Sequence, residues 1–243
     1  MRPVYLLLLI SSFALADHVD LTVVFGQSRP PFVDESLQDG ISIGLFNAVS
    51  QQLGWQYRPI FASNQRMQKL LEDGKVDISV EVQPTNAKLY YSQPFISYSN
   101  YAFYRSDLAL NLAQMDDLQP YSICAWQNAN HHLGIERWAA TKNDYREYPE
   151  QKWQVADWLN NSCQVLLIDD TLLQYHLQQF NARSDATGHQ LDIHSFSKVL
   201  LPTDKNPLWF YVGFTDKALR DAFDVQLTQL KQSGQYDLIR QDF

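Results

Sequence analysis

Short continuous apolar runs alternate along this chain with segments whose apolar residues recur every three or four positions. LTVVFG (Leu21 to Gly26) predicts a buried strand, and the proline-stiffened GQSRPPF after it predicts a turn. Ile43, Phe46, Val49 and Leu53 fall at helical spacing, with Gly54 as a natural stop. WQYRPIF (Trp55 to Phe61) predicts a strand, about Asn64 to Leu71 a helix ending in the polar turn Glu72-Asp73-Gly74, and VDISVE a further strand. Strands alternating with helices imply βαβ units and a largely parallel sheet.

The pattern restarts after about Asp107. YSICAWQ predicts a strand, His132 to Ala140 a helix, and Tyr145 to Tyr148 a polar strand. A helix through Val155 to Leu159 then leads to the strand CQVLLID and a helix from Thr171 to Phe180. From Asp216 to Lys231, Leu219, Ala222, Phe223, Leu227 and Leu230 form one apolar helical face, closed by Ser233-Gly234. Two aromatic strand-like segments, Ile96 to Ser106 and Pro207 to Phe214, flank the second α/β unit. If both cross between units, the second is an insertion into the first and the crossings are its hinge. The expected division is residues 17–104 plus 209–243 for one lobe and 105–208 for the other.

LLEDGKVDISVE (Leu70 to Glu81) and WLNNSCQVLLID (Trp158 to Asp169) share one plan: helix end, polar turn, apolar strand, then an acid at the same register. In open α/β sheets ligands bind beyond the carboxyl ends of the strands, so Glu81 and Asp169 are expected to face one crevice from opposite lobes. The alternative for such an acid is helix capping, which Asp170 before Thr171 could supply.

The 243 residues carry a net charge of −8 with no cluster of Lys and Arg, which argues against a nucleic-acid partner. MRPVYLLLLISSFALA has a basic start, a short apolar core and a small-x-small end, the form of a secretory signal covering residues 1–16. That run is too short to span a bilayer and no second run approaches the length needed, so a soluble, exported chain is expected. Export permits a bridge between Cys124 and Cys163, but each sits in an apolar run, and the reading taken is two buried thiols. Adjacent His131 and His132 face different directions, so no metal site is expected, and no cofactor motif is present.

RPPF, DGISIGLFNAVSQQLG, LLEDGKVDISV, TNAKLYYSQPF, DLQPYSICAWQNA, CQVLLIDDTLLQY and LKQSGQYDLIRQDF, in that order, resemble the type 2 periplasmic solute-binding proteins, in the branch that serves ABC importers of polar amino acids. The resemblance implies an α/β fold of two lobes, each a mostly parallel sheet flanked by helices, joined by two hinge strands and closing on a small ligand. It implies a monomeric, periplasmic, non-enzymatic protein whose partners are a small solute and a permease. Thr85 matches the family's Thr, and Lys88 occupies the place of the Arg that grips the ligand carboxylate; a point charge replaces a fork there. Asp169 matches the acid that binds the ligand's amino group, with Glu81 beside it. Asn128 and Ala129 stand for the usual Gly-Thr that binds carboxylate.

Two acids with fewer carboxylate donors favour a cationic ligand: a basic amino acid, a diamine or another amine. Arg29, before Pro30-Pro31-Phe32, is either a solvated loop residue or a substitute carboxylate binder. Phe32, Trp126 and Tyr91 could stack on an amine. Two rival functions stand beside transport. One is a cyclohexadienyl-dehydratase-like enzyme with Glu81 as general acid; the other is a ligand-binding partner of a membrane receptor.

Overall fold

The computed structural model describes residues 20–242 except 28, 109 and 184–189. The signal segment 1–16 lies outside the described residues. The first unit contains β1 (Asp20–Gly26), α1 (Ile41–Leu53), β2 (Gln56–Ala62), α2 (Asn64–Glu72), β3 (Ile78–Val82), β4 (Tyr90–Tyr91) and β5 (Ile96–Tyr98). The chain then runs through β6 (Asn100–Arg105), β7 (Ile123–Trp126), α3 (Ala129–His132), α4 (Glu136–Ala140), β8 (Tyr145–Tyr148), α5 (Gln151–Leu159), β9 (Val165–Asp169), α6 (Asp170–Arg183) and β10 (Phe196–Leu200). It ends with β11 (Leu208–Phe214), α7 (Lys217–Gln232) and α8 (Gln235–Gln241).

Two sheets result. The first runs β2-β1-β3-β11-β4, with β5 also paired to β11, and the second runs β10-β6-β9-β7-β8. Each has a parallel core of three strands, β2-β1-β3 and β8-β7-β9, continued by antiparallel strands. Both sheets are therefore mixed, because β11 and β6 arrive from the other unit and run against the parallel core. Pro59 falls in β2, an edge strand, where a missing donor is tolerated.

The chain passes from the first sheet to the second at Ser99, between β5 and β6, and back between β10 and β11. All of β6 pairs in the second sheet. The first changeover thus falls earlier than the border after residue 104 drawn from the aromatic pattern, which runs unbroken through both strands.

Alternating side chains fill both faces of each sheet. In β1, Val23 and Phe25 pack with Phe46, Phe223 and Leu227 of α1 and α7, while Val24 points to the opposite face, against Met67 and Leu71 of α2. In β9, Leu166 and Ile168 share the core that holds Trp158 and Leu172, and Val165 and Leu167 pack with Leu133 and Trp138. The single helix expected over His132 to Ala140 is split into α3 and α4 around Gly134, whose φ of 69° is a left-handed geometry that no helix continues through.

Cys124 and Cys163 form a disulfide, with Cα atoms 5.9 Å apart, in place of the two expected thiols. Parallel pairing of β7 with β9 brings Cys124 beside the start of β9 despite a sequence separation of 39. The apolar runs around the cysteines fit a buried bridge as well as buried thiols. No described helix is long and apolar enough to cross a membrane.

Candidate functional site

The carboxyl ends of the parallel strands in both sheets meet at a cleft between the two units, where a cavity of about 460 Å³ adjoins a second of about 420 Å³. Arg29, Asn64, Gln127, Asn128 and Phe210 line both.

Arg29 is held there by the start of α1. Gly40 sits at that helix's N-terminus with φ 127°, and a Cβ on it would lie 2.5 Å from the Phe32 carbonyl oxygen. Only glycine permits this approach. The approach lets the Ile41 and Ser42 amides donate to the Pro31 and Phe32 carbonyls, each at 2.9 Å, fixing the loop that carries Arg29. Phe32 itself is fully buried, its ring 4.4 Å from that of Tyr98, and lies in the core instead of stacking on a ligand.

Glu81 is the extra residue of a bulge where β3 pairs with β11, and it adopts a left-handed φ of 64°. The bulge turns its carboxylate inside the first unit. There it pairs with Arg29 Nη2 and accepts from Ser42 Oγ and, at 2.6 Å, from Tyr98 OH. Arg29 Nη2 also donates to Tyr98 OH at 2.5 Å, and the guanidinium lies 4.8 Å from that ring's centroid. Burial works against the Arg29 charge, but the Glu81 carboxylate paired with it favours the charged form, and the arginine's pKa is raised. Burial likewise pushes the Tyr98 phenol well above its ordinary range, so it stays a donor. The negative charge of Glu81 is thus answered within its own unit. Glu81 lines the smaller cavity, but with its charge already paired it is not one of two free acids.

Asp169 differs. It is 3% exposed, ends β9, and lines the larger cavity. Oδ1 accepts from the Thr171 and Leu172 amides at the start of α6, at 3.0 and 3.4 Å, and Oδ2 accepts from the Ser99 amide at 2.9 Å. Asp169, not Asp170, is therefore the helix cap; Asp170 pairs with Lys198 on the surface at 2.9 Å. Burial, with Asp170 adding to it, raises the Asp169 pKa from 3.8 to about 6 against the pull of those amides. Among the described residues no cation pairs with it.

Thr85 and Lys88 are exposed and line neither cavity. The chain leaves the cleft after the bulge at Glu81, and the turn that follows donates the Lys88 amide to Asn86 Oδ1 at 3.0 Å. Tyr91 is also absent from the lining; its hydroxyl accepts from the Asn86 amide at 3.2 Å. Asn128 does line the cleft, but in a left-handed conformation whose amide donates to Glu147 Oε2 at 2.8 Å, so that N–H is spent inside the second unit. Trp126 faces the larger cavity, with His132 packed 5.3 Å from it. Burial lowers the pKa of His132, helped by His131, and lowers that of His176 to about 4. Both imidazoles at the cleft are therefore neutral at pH 7. Among the described residues, no group of His, Cys, Asp and Glu could hold a metal.

Sequence reasoning missed Ser42, Tyr98, Ser99 and Asn100. Only Asn100 carried a usable signal, as a polar residue inside the aromatic run YSNYAFY.

The model of the bacterial extracellular solute-binding proteins, family 3, matches residues 21–243. The chain belongs to that family. Solved structures similar to this solute-binding protein share its fold at low identity. One is the GluR0 ligand-binding core in complex with L-glutamate, at a TM-score of 0.68 and 16% identity, covering 93% of this chain and 99% of that one. Another is a histidine kinase sensor domain similar to periplasmic binding proteins, at 0.67 and 18%, covering 93% and 96%. A third, from Streptococcus pneumoniae, is the substrate-binding protein of an ABC uptake transporter with bound histidine, at 0.65 and 15%, covering 92% and 91%. No curated protein matches in sequence.

Proposed function

We propose that this protein captures a small solute bearing both an ammonium and a carboxylate, an α-amino acid or a close relative, in the cleft between its lobes. The observation that carries this reading is a pair of unmet needs across one cavity. Asp169 is a buried carboxylate without a cation, and Arg29 is a cation whose buried Nε has no partner. The charge of Arg29 is already paired with Glu81. A buried N–H without an acceptor and a buried carboxylate without a cation are still both costly, and a zwitterion's carboxylate and ammonium answer them. The preference for a cationic ligand, whether a basic amino acid, a diamine or another amine, rested on two free acids, and Glu81 is not free.

The lobes close about the crossings at Ser99 and between β10 and β11, trapping the solute without chemical change. The protein acts as a periplasmic monomer that delivers its solute to the permease of an ABC importer, the role named for the Streptococcus pneumoniae neighbour. The sensor-domain neighbour favours a second reading, in which the closed form instead engages a membrane receptor. Loss of solute uptake in a deletion strain identifies the first role; intact uptake with a lost response identifies the second.

Titration calorimetry with matched sets of an amino acid, its decarboxylated amine and its deaminated acid tests the ligand class. Binding is expected only where both charges are present, and Asp169→Asn is expected to weaken it by about 2–4 kcal/mol, the loss typical of a buried charge partner. Equal binding of the amine or the acid alone sinks the reading.

A further inference from the structure

We propose that Asn100 is a ligand-binding residue whose Nδ2 donates to the solute's carboxylate beside the ammonium site at Asp169. The inference rests on the zwitterion reading above and assigns a donor from the second sheet to the group that Arg29 meets from the first.

Asn100 is 2% exposed, lines the larger cavity, and pairs with Asp169 across β6 and β9. Its main chain is fixed: the amide donates to Asn206 Oδ1 at 2.9 Å and the carbonyl accepts from Asn206 Nδ2 at 2.8 Å. Its side chain is oriented by Trp126, whose Nε1 lies 3.1 Å from Oδ1. An indole N–H can only donate, so the oxygen must face Trp126 and the NH₂ must face away from it. That Nδ2 is buried and has no hydrogen-bond partner. Of the buried side-chain atoms without partners among the described residues, only Asn100 Nδ2 and Arg29 Nε belong to residues that line the cleft. Buried amide donors are rarely left unmet in folded proteins. Here the unmet donor belongs to the register partner of Asp169, and both residues line one cavity, which matches a ligand whose carboxylate and ammonium are close neighbours. Asn100 as a mere brace for Trp126 would account for its oxygen but leave its nitrogen unexplained.

The test compares the affinities of wild type and Asn100→Asp for each amino acid and its decarboxylated amine. The substitution preserves shape and the acceptor facing Trp126 while replacing the donor with an oxygen. Affinity for the amino acid is expected to fall by about 10-fold to 100-fold, the worth of a hydrogen bond to a charged group, while that for the amine holds or rises. Asn100→Ala, which adds no charge, is read by the same ratio and serves where the aspartate variant fails to fold. Equal losses for both compounds in the folded variants show a structural role and overturn the assignment, as does an unchanged ratio. A wild-type protein that binds amines and not amino acids instead overturns the zwitterion reading, and the Asn100 assignment with it.

Discussion

The ends of β3 and β9 look alike in sequence and behave differently in the fold. Both carry an acid at or one residue before the end of an apolar strand, and both lie at the carboxyl edge of a parallel three-strand core. At β9 the strand stays regular to its last residue, so Asp169 meets amides at the start of α6 and at the Ser99 crossing, and no cation. At β3 a bulge turns Glu81 into a left-handed conformation and delivers its carboxylate to Arg29, Tyr98 and Ser42. One acid is left without a cation among the described residues. The other holds an arginine in an ion pair, so the two strand ends do not offer a cage of two free acids.

That contrast is broken most severely at Arg29. Arg29→Met leaves Glu81, with a side chain only 6% exposed, as an uncompensated charge. A loss of about 2–3 kcal/mol of stability in chemical denaturation is expected, below the range for fully buried pairs because Arg29 is itself a third exposed. Adding Glu81→Gln is expected to recover most of the stability and none of the solute binding. A double variant that binds as wild type would remove Arg29 from the site.

The second test uses pH. Asp169 holds its proton more tightly folded than unfolded, so its contribution to stability is most favourable at low pH and declines as pH rises from 3.8 through about 6. Relative to Asp169→Asn, the empty wild-type protein is expected to lose about 2–3 kcal/mol between pH 4 and pH 7. Solute affinity is expected to run the opposite way, weakening as pH falls below about 6, because an ammonium pairs with the ionised acid. A flat difference across that window would mean that Asp169 is not held apart from cations as described.

The smallest effect separates neighbours. Asp170→Ala removes a surface pair with Lys198 and is expected to cost under about 1 kcal/mol and to change affinity less than twofold. A loss as large as that of Asp169→Asn would reverse the assignment of cap and ligand acid.

The elements of the fold were legible because their signals are local. Helical spacing at Ile43, Phe46, Val49 and Leu53, the stop at Gly54 and the alternation through LTVVFG each depend on neighbours a few residues away. The plan repeated at Glu81 and Asp169, and the family motifs, placed the cleft at the strand ends. The sequence by itself therefore determined the two α/β units, their interleaving and the acid at the end of β9. Only the tertiary structure decided the rest. Whether Glu81 is free depends on a bulge set by pairing with β11, more than a hundred residues later in the chain. Whether Cys124 meets Cys163 depends on β7 lying beside β9, and that the side-chain nitrogen of Asn100, not its oxygen, is left without a partner depends on Trp126. Those outcomes rest on contacts between distant segments, which hydrophobic periodicity does not encode.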